Sequence, residues 1–336
     1  MRYYCTLFDG NYTPNFLALY DSLLSNSGNF KIYAFCMDDK AYDYLADDPL
    51  NSEGKIAVIS IARLKEHFPQ LEGLVKKRSL VEFYFSCSPF ITTYVFDKEQ
   101  SATHVTYLDA DLMFFDSPEH IFEEIADCSV GIIAHKFYGW GKRYLKYGKY
   151  NVGWVTFKND TNGRACLKSW LDDCEEWCHD YYDEIGQRFG DQKYLDKWEH
   201  YFTGIKVISQ KGANVAPWNA GRYKVSANAE GTIYIDEDPL VFYHYASFKK
   251  VDANTYTTSM SKYMARPCLI LKRDIYQKYL TIVAENSDQI NKKLNNKDAE
   301  ALKKNRSLSN QTNFRKRITL AFTSLTRWYF NDYIYK

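Results

Sequence analysis

Several things are missing from this 336-residue chain, and each absence removes a class of protein. No run of about 18 uninterrupted apolar residues occurs, so no membrane-spanning helix is expected. The opening stretch MRYYCTLFDG lacks the charged region, apolar run and small-residue cleavage site of a signal peptide. A cytoplasmic location is therefore the expectation. The eight cysteines, at 5, 36, 87, 128, 166, 174, 178 and 268, sit scattered in apolar contexts and do not form a disulfide framework. Reduced, buried thiols follow. Cys174, Cys178 and His179 are close enough for a zinc ion, and their spacing suits a packed helical turn equally well. Net charge is also small, +1, although residues 291–336 hold 11 Lys and Arg against 3 Asp and Glu, which leaves the body mildly acidic. A body of that sign argues against nucleic acid as a partner.

What is present suffices for a large core, with 46% hydrophobic and 17% aromatic residues. Strand-like and helix-like stretches alternate through the first half. RYYCTLF, KIYAFCM, KIAVISI and HVTYL read as strands; NFLALYDSLLS, ARLKEHF and a longer stretch from about Leu71 to Tyr94 read as helices. Further strands are expected at SVGIIAH, NVGWVTFK, IKVIS, GTIYI and PLVFYHY, with helices near 163–180 and 192–201. This alternation predicts an α/β fold with a mixed, mainly parallel sheet flanked by helices. After Lys250 the strand signals stop, and helical patterns take over.

Two Asp-x-Asp triplets occur, DAD at 109–111 and DED at 236–238. The second precedes Pro239 in a turn-like context, whereas YLDADLMFF closes a strand of buried character. In an extended segment Asp109 and Asp111 point the same way. Two carboxylates side by side resist burial, and a divalent cation removes that cost. Mg²⁺ and Mn²⁺ favour oxygen ligands and complete their shell with substrate phosphates. The other reading is that Asp109 or Asp111 forms a cap or turn near Ser117 and Pro118. A second strand, PLVFYHYASFKK, runs into His244 with Lys249 and Lys250 beyond it. That supplies an imidazole ligand and phosphate-binding cations, unless His244 is simply a core histidine.

Five segments in order then make the chain resemble GT-A fold glycosyltransferases, in particular the retaining family 8 that includes sugar transferases of bacterial surface polysaccharides and glycogenins. The resemblance covers residues 3–250, with a Rossmann-like sheet and a C-terminal helical extension. FDGNY is similar to the family's nucleotide loop, implying that Asp9, Asn11 and Tyr12 contact base and ribose. LDADLMFF resembles its metal motif, with Asp109 and Asp111 as ligands. YNVGWVTF implies that Asn151 touches the donor sugar, and GDQKYL that Asp191 and Gln192 flank it, Asp191 being the base if the enzyme inverts. HYASFKK implies His244 as third metal ligand and Lys250 as diphosphate contact. Ser247 stands where Gly is usual, no Pro-Trp follows Lys250, and VEFYFSCSPF lacks the family's Arg, for which Arg78 is the candidate substitute.

The resemblance implies an enzyme that uses Mn²⁺ or Mg²⁺ and a nucleoside diphosphate sugar, expected to be a UDP-sugar. The acceptor is a glycan or a lipid-linked sugar. A metal-dependent phosphohydrolase or nucleotidyltransferase, and a non-catalytic nucleotide-sugar-binding protein, remain the alternatives. Residues 1–250 are then the catalytic domain, 251–290 a helical extension and 291–312 a basic linker. Residues 313–336 place Phe314, Ile318, Phe322, Leu325 and Tyr329 at helical spacing beside Arg315, Lys316 and Arg317. Such a helix either lies in an anionic membrane surface, giving peripheral contact with the inner membrane, or docks on the body.

Overall fold

Strand runs made of Val, Ile and aromatic residues fall where the expected strands lie, and the inner ones are buried on both faces, as a sheet covered by helices requires. The computed structural model describes residues 1–46, 54–252, 254–298, 326–327 and 329–335, with only the backbone of 294–298. Its strands are β1 (Arg2–Phe8), β2 (Phe30–Cys36), β3 (Ile56–Ser60), β4 (His104–Leu108), the short β5 (Leu112–Phe114), β6 (Val130–Ala134), β7 (Tyr150–Lys158) and β8 (Ile205–Ile208). All but β5 form one sheet in the order β3-β2-β1-β4-β7-β6-β8. β7 runs antiparallel to both neighbours, and the other pairs are parallel. The expected mixed, mainly parallel α/β sheet is what the chain forms.

The helices are α1 (Thr13–Asn26), α2 (Asp39–Ala46), α3 (Ile61–His67), α4 (Leu71–Lys77), α5 (Leu80–Lys98), α6 (Glu119–Glu124), α7 (Thr161–Glu176), α8 (Trp198–Tyr201) and α9 (Lys278–Asp298). On one face α5 and α7 bury Phe90, Ile91 and Trp170 in one core. On the other, α1 buries Phe16, Leu19 and Tyr20 against Trp154 in a second core.

The helical stretch expected over 71–94 consists of two helices, α4 and α5. The Ser79 hydroxyl accepts from the Glu82 amide at 3.4 Å and the Glu82 carboxylate accepts from the Ser79 amide at 2.8 Å, a capping box that starts a new helix there. The zinc alternative at Cys174, Cys178 and His179 gives way to packing. Both thiols are buried, and His179 Nδ1 lies 2.9 Å from Glu82 Oε1.

The second half adds three antiparallel strands, β9 (Val225–Ala227), β10 (Ile233–Ile235) and β11 (Asp238–Pro239), and then β12 (Phe242–His244), which pairs antiparallel with β5. Strands do not stop at Lys250. β13 (Lys249–Lys250), β14 (Thr255–Thr257) and β15 (Tyr333–Tyr335) make a small sheet. The expected helical extension therefore begins with a strand, and α9 carries helix to Asp298 through the start of the expected linker. Of the expected 313–336 helix, Phe314, Ile318, Phe322, Leu325 and Arg315–Arg317 lie outside the described residues. Its last described residues, Tyr333–Tyr335, are a strand because Ile334 pairs with Tyr256 and is buried in a third core with Tyr243 and Tyr276. Among the described residues no helix is long and apolar enough to cross a membrane.

Candidate active site

In the sheet order, the strands diverge on either side of the β1–β4 pair, and a crevice opens past the carboxyl ends at such a point. Asp9 follows β1 and Asp109 follows β4. Asp109 to Asp111 form a turn and not the extended segment expected, so strand alternation is not what aligns the two carboxylates. Pairing does it. The Asp109 amide donates to Gly153 O at 3.2 Å, and the Tyr245 amide to Asp111 O at 3.0 Å. Because β12 pairs with β5 so that His244 faces Leu112, His244 Nε2 reaches 3.1 Å from Asp111 Oδ1 and 3.5 Å from Asp109 Oδ2. One ligand atom from each residue lies within 4.8 Å of the others.

β7 supplies the floor. Ile132 pairs with Val155 but Ile133 with Asn151, so residues 152–154 bulge towards the site, a device common beside active sites. Asn151 Oδ1 accepts from the Gly153 amide at 3.1 Å and lies 3.2 Å from His244 Nδ1. Its Nδ2 faces His135 Nε2 at 3.4 Å. A Cβ on Gly153 would fall 2.6 Å from Asn151 Oδ1 and 2.8 Å from His244 Nδ1, so the close approach requires glycine. His135 is pushed down to about 3 by burial, hence neutral and able to accept at Nε2. The arrangement puts the Nδ1 proton of His244 on Asn151 and leaves Nε2 for the carboxylates.

The electrostatics ask for a cation. Burial pushes Asp109 up to about 6, with Asp111 adding to the shift and His244 opposing it. Burial disfavours charge on His244, but the Asp111 and Asp109 carboxylates outweigh it and raise the imidazole. Two carboxylate oxygens and one imidazole nitrogen converging in this way fit Mn²⁺ or Mg²⁺ by donor chemistry.

A cavity of about 400 Å³ opens above these groups, and eight of the ten residues anticipated from sequence line it: Asp9, Tyr12, Asp109, Asp111, Asn151, Asp191, Gln192 and His244. Asp191 is 7% exposed. Its Oδ2 accepts from Ser88 Oγ at 2.9 Å, and burial pushes the carboxyl up to about 7. Gln192 Nε2 donates to Tyr147 O at 3.0 Å. Asp9 organises the loop before α1: its Oδ1 accepts from the amides of Asn11 and Tyr12 at 2.9 and 3.2 Å. The charge of Asp111, then burial, pushes the Tyr12 hydroxyl up to about 12.

Asn11 and Lys250 are exposed, and the residues lining the cavity include neither. Lys250 pairs with Tyr256 in β13 and β14. Arg78 also stays away from the cavity, donating to the carbonyls of Cys174 and Glu175 at 2.6 and 2.7 Å and so tying the start of α5 to the end of α7.

No protein-family model matches the chain. The Bacillus subtilis protein YfnF, described as uncharacterized, is 30% identical over 258 residues, 75% of this chain and 83% of YfnF. The chain belongs to the YfnF family. A second Bacillus subtilis relative, YfnD, also described as uncharacterized, is 29% identical over 253 residues, 74% of this chain and 78% of its own. Among solved structures, the chain is similar to an active-site mutant of LgtC at 16% identity and a TM-score of 0.47, covering 73% of this chain and 87% of that one. It is also similar to the apo form of mouse xyloside xylosyltransferase 1 at 15% identity and a TM-score of 0.43, covering 72% and 97%.

In this YfnF-family chain the site includes side chains that the motifs did not mark. Tyr84 and Ser88 line the cavity one helical turn apart on α5, a polar stripe in an otherwise apolar helix that could have been read from VEFYFSCSPF. Tyr107 donates to Asp109 Oδ1 at 3.0 Å, two residues before the motif. Trp218, whose ring centre lies 5.1 Å from that of His244, comes from an irregular segment and carries no periodic signal.

Proposed function

We propose that the protein is a metal-dependent glycosyltransferase of the GT-A type. It moves a sugar, with retention, from a UDP-sugar to a glycan or lipid-linked acceptor of bacterial surface polysaccharide. The observation that carries this reading is the convergence of Asp109, Asp111 and His244 at the floor of the cavity, with the buried Asp191 on its wall.

Asp109, Asp111 and His244 would hold the cation, which when bound supplies positive charge against the diphosphate as the sugar departs. The rest falls to the chain. Asn151 and His135 keep the His244 lone pair on Nε2 turned to the carboxylates, so the binding groups are placed before the donor arrives. Tyr84 and the half-exposed Tyr12, with Leu80 and Val81 beside them, give the cavity an apolar rim that suits a nucleobase. Asp191, whose carboxyl burial raises to about 7, can donate to a sugar hydroxyl when protonated and accept from one when ionised, and Gln192 adds an amide beside it.

In the transfer, the bond from the anomeric carbon to the β-phosphate oxygen breaks and its electron pair stays on that oxygen. The acceptor hydroxyl oxygen forms the new bond to carbon, and its proton passes to the departing phosphate. No protein base is needed when both events occur on one face.

Incubation with Mn²⁺, a UDP-sugar and a glycan acceptor, with products identified by mass spectrometry, tests the reading. Release of intact UDP with a lengthened acceptor is expected. Release of orthophosphate or pyrophosphate would contradict it and point to a phosphohydrolase or nucleotidyltransferase.

A further inference from the structure

A second cavity, of about 390 Å³, lies against the 3₁₀ segment Gly139–Tyr147. Its wall includes Trp140, Arg143 and Tyr144 from that segment, Ser261 and Lys262 from the turn after β14, and Arg327 from near the C-terminus. Three of these are cations, and among the described residues no carboxylate lines the cavity. Burial, with the charges of Lys249 and Arg327, lowers the Lys262 pKa. Asp332 is buried, and its carboxylate accepts from the hydroxyls of Thr257, Thr258 and Ser261.

Like charges gathered around a concavity repel one another unless an anion sits among them. The aromatic groups narrow the choice of anion. The Arg143 guanidinium lies 4.7 Å from the centre of the Trp140 ring and 4.8 Å from that of Tyr144. It donates to Tyr144 Oη at 3.0 Å and to Lys262 O at 3.3 Å, and a guanidinium has five donors in a fork that matches phosphate. Trp140 is 60% exposed, offering a flat apolar face of the kind that packs on a pyranose ring. The turn carrying Lys262 is flanked by Ser259 and Met264, both with left-handed φ, +62° and +56°. Strain of that sort persists where the surrounding structure fixes a functional geometry.

Packed side chains connect the wall of this cavity to the proposed donor site. Gln192, which lines the donor cavity, bonds to Tyr147 at the end of the same 3₁₀ segment. A file of ring contacts leads from Tyr144 through Tyr263, Phe137 and Trp218 to His244, with centres 5.2, 6.2, 6.4 and 5.1 Å apart.

We propose that this second cavity is an acceptor subsite for a phosphate-bearing saccharide, whose other end reaches the donor cavity. The inference rests on the glycosyltransferase reading for the word acceptor, but not for the ligand's chemistry. A free sugar phosphate and a lipid diphosphate-linked sugar offer the same groups.

Calorimetric titration of the full chain, without metal, tests it. The probes are glucose 1-phosphate, glucose, and a prenyl diphosphate-linked disaccharide in detergent micelles. At least one phosphorylated probe is expected to bind tenfold or more tightly than glucose. That preference should disappear in Arg143→Gln/Lys262→Gln and weaken in Trp140→Ala. Binding of the lipid-linked probe alone assigns the ligand to lipid diphosphates, and binding of glucose 1-phosphate assigns it to soluble glycans. Equal affinity for glucose and both phosphorylated probes, or a double variant that binds like the wild type, overturns the subsite. Titration of UDP with Mn²⁺ into the same wild-type protein reads the donor cavity separately. Phosphate-dependent binding beside no UDP binding would overturn the donor reading and leave the subsite standing.

Discussion

His244 Nδ1 lies 3.2 Å from Asn151 Oδ1, and this contact decides which imidazole nitrogen faces the two carboxylates. Replacing Asn151 by Ala is expected to weaken Mn²⁺ binding about 10- to 100-fold, the usual cost of losing a group that orients a ligating histidine. Calorimetry with Mn²⁺ and no nucleotide isolates this effect from any contact with a sugar. Unchanged affinity would mean that Asn151 does not orient the histidine.

Gly153 is the tightest point of the site. A methyl group there would fall well inside contact distance of both Asn151 and His244. Gly153→Ala should therefore push the two side chains apart and reduce Mn²⁺ affinity at least as far as Asn151→Ala does. Overpacking should also lower stability by about 1–3 kcal/mol. Equal Mn²⁺ binding in wild type and variant would show that the bulge tolerates a Cβ.

Ser247 occupies the place where the resemblance expects glycine, and its φ of +61° explains the expectation. Its backbone position is otherwise useful, because its carbonyl accepts from Ser259 Oγ at 2.8 Å, a bond that glycine would keep. Ser247→Gly relieves the left-handed strain while adding chain entropy to the unfolded state. A net gain of about 0.5–1 kcal/mol in denaturant unfolding is expected, and a loss would contradict this account.

Asp191 makes stability depend on pH. Its folded pKa of about 7 lies above that of a free carboxyl because of burial. Its contribution is thus fully present below about pH 4 and is lost as pH rises through 7. Measured against Asp191→Asn, the wild type should lose on the order of a few kcal/mol between pH 4 and 8. A difference between the two proteins that stays constant over that range would show that Asp191 titrates normally.

Much of the fold was legible because strands such as KIYAFCM and NVGWVTFK are buried on both faces and read as continuous apolar runs. The DAD motif was legible as well, although for a different reason than the one inferred from extended geometry. What brings Asp109 and Asp111 to His244 is the pairing of β5 with β12, a contact across more than a hundred residues that no local pattern encodes. Lys250 illustrates the limit. Its place after His244 suggests a phosphate contact, but pairing with Tyr256 leaves it exposed on a strand outside the cavity lining. β14 and β15 escaped notice because three-residue strands are too short to show alternation, and their burial depends on Tyr243 and Tyr276 from elsewhere in the chain.

The central claim is that Asp109, Asp111 and His244 form a metal-dependent donor site. Thermal unfolding with Mn²⁺ and a panel of UDP-, GDP-, CMP- and dTDP-sugars, repeated with EDTA, tests it most directly. A ligand at a hundredfold excess over its Kd stabilises the folded state by about 2.7 kcal/mol. The account predicts a shift of that order with UDP-sugars that vanishes with EDTA and is absent in Asp111→Ala. No shift under any condition, or a shift that persists in EDTA, would contradict it.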